Sequence, residues 1–245
     1  MNSTVDKTEV NHFDKPNQDW WDESGSFSAL HRLTPCRVEY IVQVIKRNII
    51  NKHINSSTQI CNNLNILDVG CGGGLLCEPL SRLGGNVTGI DVSENAIITA
   101  KQHASKMGLK INYICTSLEE LNLKKDFDLI IASEVIEHVL DRKYFLKMIR
   151  KISSNKTSFI FTTINKSIPS LLFGKFAAEY ILNLIPKGTH DWEKFVTPQK
   201  LYLEALENGI YLNNFSGLTP NVFNKEFNLT SYLGINYAAS GIVRE

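Results

Sequence analysis

The sequence has no CxxC pair, no excess of either charge, no internal repeat and no uninterrupted apolar run of the roughly 20 residues that a membrane span requires. Each absence removes a class of function. With 26 basic residues against 25 acidic the net charge is +1, so no overall field steers the chain towards nucleic acid. The 5 cysteines lie scattered at 36, 61, 71, 77 and 115, which reads as reduced thiols rather than a disulfide framework. The opening stretch, MNSTVDKTEVNHFDKP, contains acids and lacks an apolar core. That excludes a secretory signal and an acid-poor transit peptide, and predicts a cytoplasmic protein of bacterial type.

What remains is ordinary for a soluble globular protein: 245 residues, 43% hydrophobic and 21% charged. That suits one domain over residues 1–245 with a substantial core. Short apolar runs alternate with helical patterns. NILDVG (65–70), NVTGID (86–91), KINYIC (110–115), FDLIIAS (127–133) and TSFIFTTI (157–164) read as strands. GLLCEPLSRLG (74–84), SENAIITAKQHASKMG (93–108), LDRKYFLKMIRKIS (140–153) and TPQKLYLEALENG (197–209) read as helices, with strand-like pieces near 213–218 and 235–243. The basic residues of 140–153 read as a solvated helix exterior. The predicted fold class is α/β: a doubly wound, mostly parallel sheet with helices on both faces. Its ligand site belongs beyond the carboxyl ends of the strands.

LDVGCGGG (67–74) joins the first strand to its helix. Gly70, Gly72 and Gly74 let the chain turn sharply and let a ligand approach the backbone. Asp91 ends the next strand, where a carboxylate can accept hydrogen bonds from ribose hydroxyls. A dinucleotide fingerprint would place its third glycine at position 75, which is Leu75. DVGCGGG is instead similar to the first motif of class I S-adenosylmethionine-dependent methyltransferases. Further along, SEVIEHV (133–139) follows the fourth strand. If a helical turn begins there, Glu134, Glu137 and His138 share one face. Such a trio can hold a divalent ion; alternatively, Glu137 and His138 cap a helix and hydrogen-bond the loop.

Together WWDESGSFSALHRLTPCRVEYI (20–41), LDVGCGGG, GIDVSENAI, SEVIEHV and PKGTHDWEKFVTP resemble the ubiquinone-biosynthesis O-methyltransferases, from about residue 12 to the C-terminus. The resemblance implies S-adenosylmethionine as methyl donor and a polyprenylated phenol or quinol as acceptor: 2-polyprenyl-6-hydroxyphenol and 3-demethylubiquinol. It implies cofactor-binding roles for Arg37, Gly70, Gly72, Asp91 and Val135. Arg37 would suit the cofactor's carboxylate, and Val135 stands where the family often has methionine or leucine. It also implies magnesium, with Glu134, Glu137 and His138 as ligands. No catalytic residue is assigned: His190 can serve as general base or can order its loop against Asp191. The competing expectations are a methyltransferase of another small aromatic or lipid, including ring C-methylation, and a non-catalytic subunit of a ubiquinone-biosynthesis complex.

The stretch SIPSLLFGKFAAEYILNLIPKGTHDW (167–192) is the least expected. Read as a helix, Lys175, Glu179 and Asn183 form one narrow polar stripe amid apolar residues. Pro169 and Pro186 leave it too short to span a bilayer. Its place after the fifth strand predicts an insertion over residues 165–190 acting as a lid that docks on a membrane, with lipid contact through 168–185. Residues 12–60 are predicted to form an N-terminal helical cap. No nucleic-acid partner is expected.

Overall fold

In a computed structural model of the protein, the residues described are Thr4, Val5, 20–49, 59–123, 126–170, 194–221 and 224–243. The elements are α1 (Ser28–Asn48), β1 (Asn65–Val69), α2 (Cys77–Arg82), β2 (Asn86–Asp91), α3 (Glu94–Lys106), β3 (Asn112–Cys115), β4 (Leu129–Ser133), a 3-10 turn (Ile136–His138), α4 (Arg142–Lys151), β5 (Ser158–Ile164), α5 (Pro198–Glu207), β6 (Ile210–Pro220), β7 (Phe227–Thr230) and β8 (Asn236–Val243). One 8-stranded sheet runs in the order β3-β2-β1-β4-β5-β8-β6-β7. The pairs from β3 to β5 are parallel, and β8, β6 and β7 add an antiparallel flank. The predicted doubly wound class is what forms. The order reverses between β1 and β4, so their carboxyl ends open the crevice where ligands of such sheets bind.

Strand alternation sorts side chains onto two faces. Ile66, Ile131, Ile160 and Ala238 meet α1 through Cys36, Tyr40, Ile41 and Ile45, together with α2 and α3. Leu67, Ile130, Phe159, Phe161 and Ala239 meet α4 and α5 through Phe145, Ile149, Leu201 and Ala205 on the opposite face. Three helices start on side-chain caps: Ser93 accepts from Ala96 N–H, Asp141 from Tyr144 N–H and Thr197 from Lys200 N–H.

Several boundaries differ from expectation. The helix read over 74–84 forms only at Cys77–Arg82, because Gly74 has φ +89° and keeps the chain turning. The strand-like piece read near 213–218 is the middle of β6, which runs from Ile210 to Pro220 and pairs with β7, a short strand of half-buried residues that the sequence reading did not include. The basic residues of α4 include two that join it to α5: Arg142 Nε meets Glu204 at 3.0 Å and Lys143 meets Glu207 at 2.7 Å. Of the predicted lid, 171–190 lies outside the described residues, as do His190 and Asp191.

Candidate active site

The site grows from the parity of three neighbouring strands. Asp68 of β1, Ser133 of β4 and Thr162 of β5 all point to the face that α1 covers, with Ser133 and Thr162 in register. From α1, Arg37 reaches this row. Its Nη1 donates to Ser133 Oγ at 2.8 Å, and its Nη2 to Thr34 Oγ1 at 2.7 Å and to the Leu30 carbonyl at 3.3 Å. Ser133 Oγ and Thr162 Oγ1 lie 2.8 Å apart, and Thr162 Oγ1 donates to Glu134 Oε1 at 2.7 Å.

Arg37 is only 5% exposed. Among the described residues it forms no ion pair, and its Nε has no hydrogen-bond partner. Burial holds its pKa below the ordinary value, opposed by the nearby charges of Glu134 and Asp68. A buried guanidinium with an unmatched N–H is costly unless an anion completes it. A ligand carboxylate does so with the planar geometry that arginine offers.

The glycine loop forms the adjoining wall. Gly70, Gly72 and Gly74 take positive φ values of +72°, +52° and +89°. At Gly70 a Cβ would come within 2.4 Å of Val135 Cγ2, so Val135 packs directly on this turn. Asp91 accepts from Gly72 N–H at 2.8 Å through one oxygen and from Ser93 N–H at 2.9 Å through the other. A carboxylate has about four acceptor positions, so these bonds orient Asp91 and are compatible with its accepting hydroxyls too. The structure therefore gathers Arg37, Gly70, Gly72, Asp91 and Val135 at the carboxyl ends of β1, β2 and β4.

Comparison with known proteins identifies the family and the fold. Residues 67–161 match a family described as a methyltransferase domain. A ubiquinone biosynthesis O-methyltransferase of Pelagibacter ubique is 42% identical over 97% of this chain and 97% of its own. Proteins of the same name in Bradyrhizobium diazoefficiens and Rickettsia prowazekii are each 39% identical, over 98% and 96% of this chain and 95% and 90% of theirs. The chain belongs to the ubiquinone biosynthesis O-methyltransferase family. Solved structures support the fold. A magnesium protoporphyrin IX methyltransferase from Synechocystis with bound S-adenosylhomocysteine is 16% identical, with a TM-score of 0.62, over 97% of this chain and 93% of that one.

In this methyltransferase the second predicted cluster behaves differently. Glu134, Glu137 and His138 do not share a helical face, because Glu134 precedes the 3-10 turn at φ +56°. Such a backbone costs on the order of 1 kcal/mol or more outside glycine. It is held by Glu134 N–H donating to the Thr162 carbonyl at 2.9 Å. The two carboxylates turn to neighbouring threonines on opposite faces of β5. Glu134 accepts from Thr162, and Glu137 accepts from Thr163 Oγ1 at 2.8 Å. Among the described residues no three His, Cys, Asp or Glu side chains are placed to hold a metal ion. As placed, the trio does not fit magnesium: Glu134 and Glu137 are turned to the threonines of β5, and the 3-10 turn has Val135 at its N-cap, with no side-chain cap hydrogen bond. Burial, reinforced by the charge of Glu137, pushes Glu134 up to about 7.

Five contributors escaped the sequence reading. Asp68 lies under the loop, 2% exposed, accepting from Cys77 Sγ at 3.2 Å. Burial pushes its carboxyl up to about 6, against the Cys77 bond and Arg37. Ser133 and Thr162 position Arg37, and their shared strand parity was the signal that could have found them. Trp20 and Trp21 flank the loop through contacts that no local pattern announces.

Proposed function

We propose that this chain transfers a methyl group from S-adenosylmethionine to a phenolic oxygen of polyprenylated ubiquinone precursors, 2-polyprenyl-6-hydroxyphenol and 3-demethylubiquinol. The observation that carries the reading is Arg37, a buried guanidinium with an unmatched Nε at the β1–β4 crevice. It stands within a chain 42% identical, almost end to end, to a relative named for this chemistry. When bound, the cofactor supplies a methyl already activated by its positive sulfur, so displacement by a phenolic oxygen needs mainly alignment.

The chain's residues provide that alignment. Arg37 holds the carboxylate end, and Ser133, Thr34 and the Leu30 carbonyl hold Arg37. Asp91 meets the ribose hydroxyls from its seat on Gly72 and Ser93. Val135 gives an apolar contact beside Gly70. No residue is assigned as base, and no step is routed through a metal.

The polyprenyl tail would bring the acceptor to a membrane surface. Leu140, after the 3-10 turn, and Ile168, after β5, are 62% and 71% exposed at this end of the sheet. They support a peripheral docking role that continues into the apolar stretch to 185. Among the described residues no helix is long and apolar enough to cross a membrane.

The test is product formation from a short-chain 3-demethylubiquinol with S-adenosylmethionine, in magnesium and in excess chelator. O-methylated product supports the proposal, and product in both conditions is what the placement of Glu134 and Glu137 predicts. Product only with magnesium would show that the trio converges in the loaded enzyme. Absence of product in both, with cofactor bound, would move the activity to another acceptor.

A further inference from the structure

Three consecutive glycines, Gly72 to Gly74, build a loop that on its own loses more backbone freedom on ordering than any other tripeptide would. Something must hold it. On its inner side Gly72 N–H is bonded to Asp91. On its outer side lies the Trp20-Trp21 pair, a motif that the cofactor contacts leave without a task.

Trp20 lies against the backbone of the loop. A Cβ on Gly73 would come within 2.4 Å of the Trp20 ring, and one on Gly72 within 2.5 Å. Its ring stacks on Phe27 with centroids 3.9 Å apart and planes 9° apart, and its carbonyl meets His31 Nε2 at 2.9 Å. Trp21 makes the directional contact: its indole Nε1–H donates to the Gly73 carbonyl at 3.1 Å. The other end of that same peptide plane is also engaged, because Gly74 N–H donates to the Cys71 carbonyl at 3.0 Å. A planar peptide held at both its oxygen and its hydrogen cannot rotate.

Behind Trp21 stands His103 of α3. The indole and imidazole stack with centroids 3.5 Å apart and planes 9° apart. His103 Nδ1 is 2.6 Å from Glu78 Oε1, and Glu78 is itself 1% exposed and paired with Arg82 at 3.2 Å. The chain of contacts thus runs from α2 through α3 to Trp21 and on to Gly73.

We propose that Trp20 and Trp21 form an aromatic clasp that presets the glycine loop for the cofactor, with His103 as the positioning residue that fixes the clasp. Preorganising a loop raises affinity by removing the ordering cost at the moment of binding. The clasp therefore acts on cofactor affinity rather than on the methyl transfer itself.

Calorimetric titration of S-adenosylhomocysteine into the full chain tests this with Trp21→Phe, His103→Gln and the double variant. Trp21→Phe keeps a ring beside His103 and deletes the donor to Gly73. Each single variant is expected to raise the Kd roughly threefold to tenfold, the range of one hydrogen bond. The double variant should be no worse than the weaker single, since both act through one contact chain. In turnover the KM for S-adenosylmethionine rises while kcat and the acceptor KM hold. A merely structural pair would lower the Tm and leave the Kd and KM in place. A Kd within twofold of wild type for both singles, or additive losses in the double, overturns the proposal. If Trp21→Phe does not fold, the Kd and the KM–kcat split of His103→Gln alone decide it.

Discussion

Arg37 is the side chain on which the cofactor reading turns, and its bonds say what a substitution would do. Lysine keeps a charge but cannot reach Ser133, Thr34 and a ligand carboxylate together. Arg37→Lys is therefore expected to weaken S-adenosylhomocysteine binding tenfold or more, given the roughly 1.5–3 kcal/mol of a charged hydrogen bond. Unchanged affinity by calorimetry would remove Arg37 from the site. Asp68 carries a pH signature of its own. Its folded pKa of about 6 lies above the usual 3.8, so the native state holds the proton more tightly. The stability this gives is fully present below pH 3.8 and is lost as pH rises through 6. Two units correspond to about 3 kcal/mol. Urea unfolding from pH 4 to 7 should show wild type losing roughly that much relative to Asp68→Asn. Parallel profiles would mean that the carboxyl titrates normally. Gly73, by contrast, is a steric prediction. Alanine there meets Trp20, so Gly73→Ala should cost about 1–3 kcal/mol and loosen cofactor binding.

At the scale of elements, β5 divides the two threonines between two tasks. Thr162 faces α1 and serves Glu134 and Ser133, while Thr163 faces the other core and serves Glu137. Thr163→Val should lower stability by about 1–2 kcal/mol and leave S-adenosylhomocysteine affinity alone. Thr162→Val should also weaken binding, through Arg37. Equal effects on binding would contradict the opposite-face placement. Elements also explain what the sequence disclosed. FDLIIAS announces β4 because a buried strand in a parallel sheet is a continuous apolar run, and NVTGID announces β2 by its alternation. The antiparallel flank is half polar, so β7 and the full length of β6 gave no such signal. The trio 134–138 looked like one helical face, and the positive φ of Glu134 broke that pattern. No local rule foretells a left-handed glutamate, because β5 rather than its neighbours in sequence holds it. Trp21 and Gly73 stand 52 residues apart, so their bond is tertiary and left no trace in spacing.

For the whole molecule, the proposed docking on a lipid surface rests on which exposed side chains lie beside the crevice. Arg37 and the glycine loop lie at the same end of the sheet as Leu140 and Ile168, whose apolar side chains face solvent. The stretch from 171 to 185 that continues from Ile168 lies outside the described residues, but its sequence is the most apolar in the chain. Wild type should float with anionic liposomes, and Phe173→Asp combined with Phe176→Asp should not. Equal flotation of both would place the membrane contact elsewhere.

The most direct test of the account is the position of the transferred methyl. S-adenosylmethionine with a 13C-labelled methyl is incubated with the protein and a short-chain 3-demethylubiquinol, and the product is read by carbon NMR. The account predicts one labelled carbon bonded to oxygen. Label bonded to a ring carbon would contradict it and make the enzyme a C-methyltransferase on the same cofactor site.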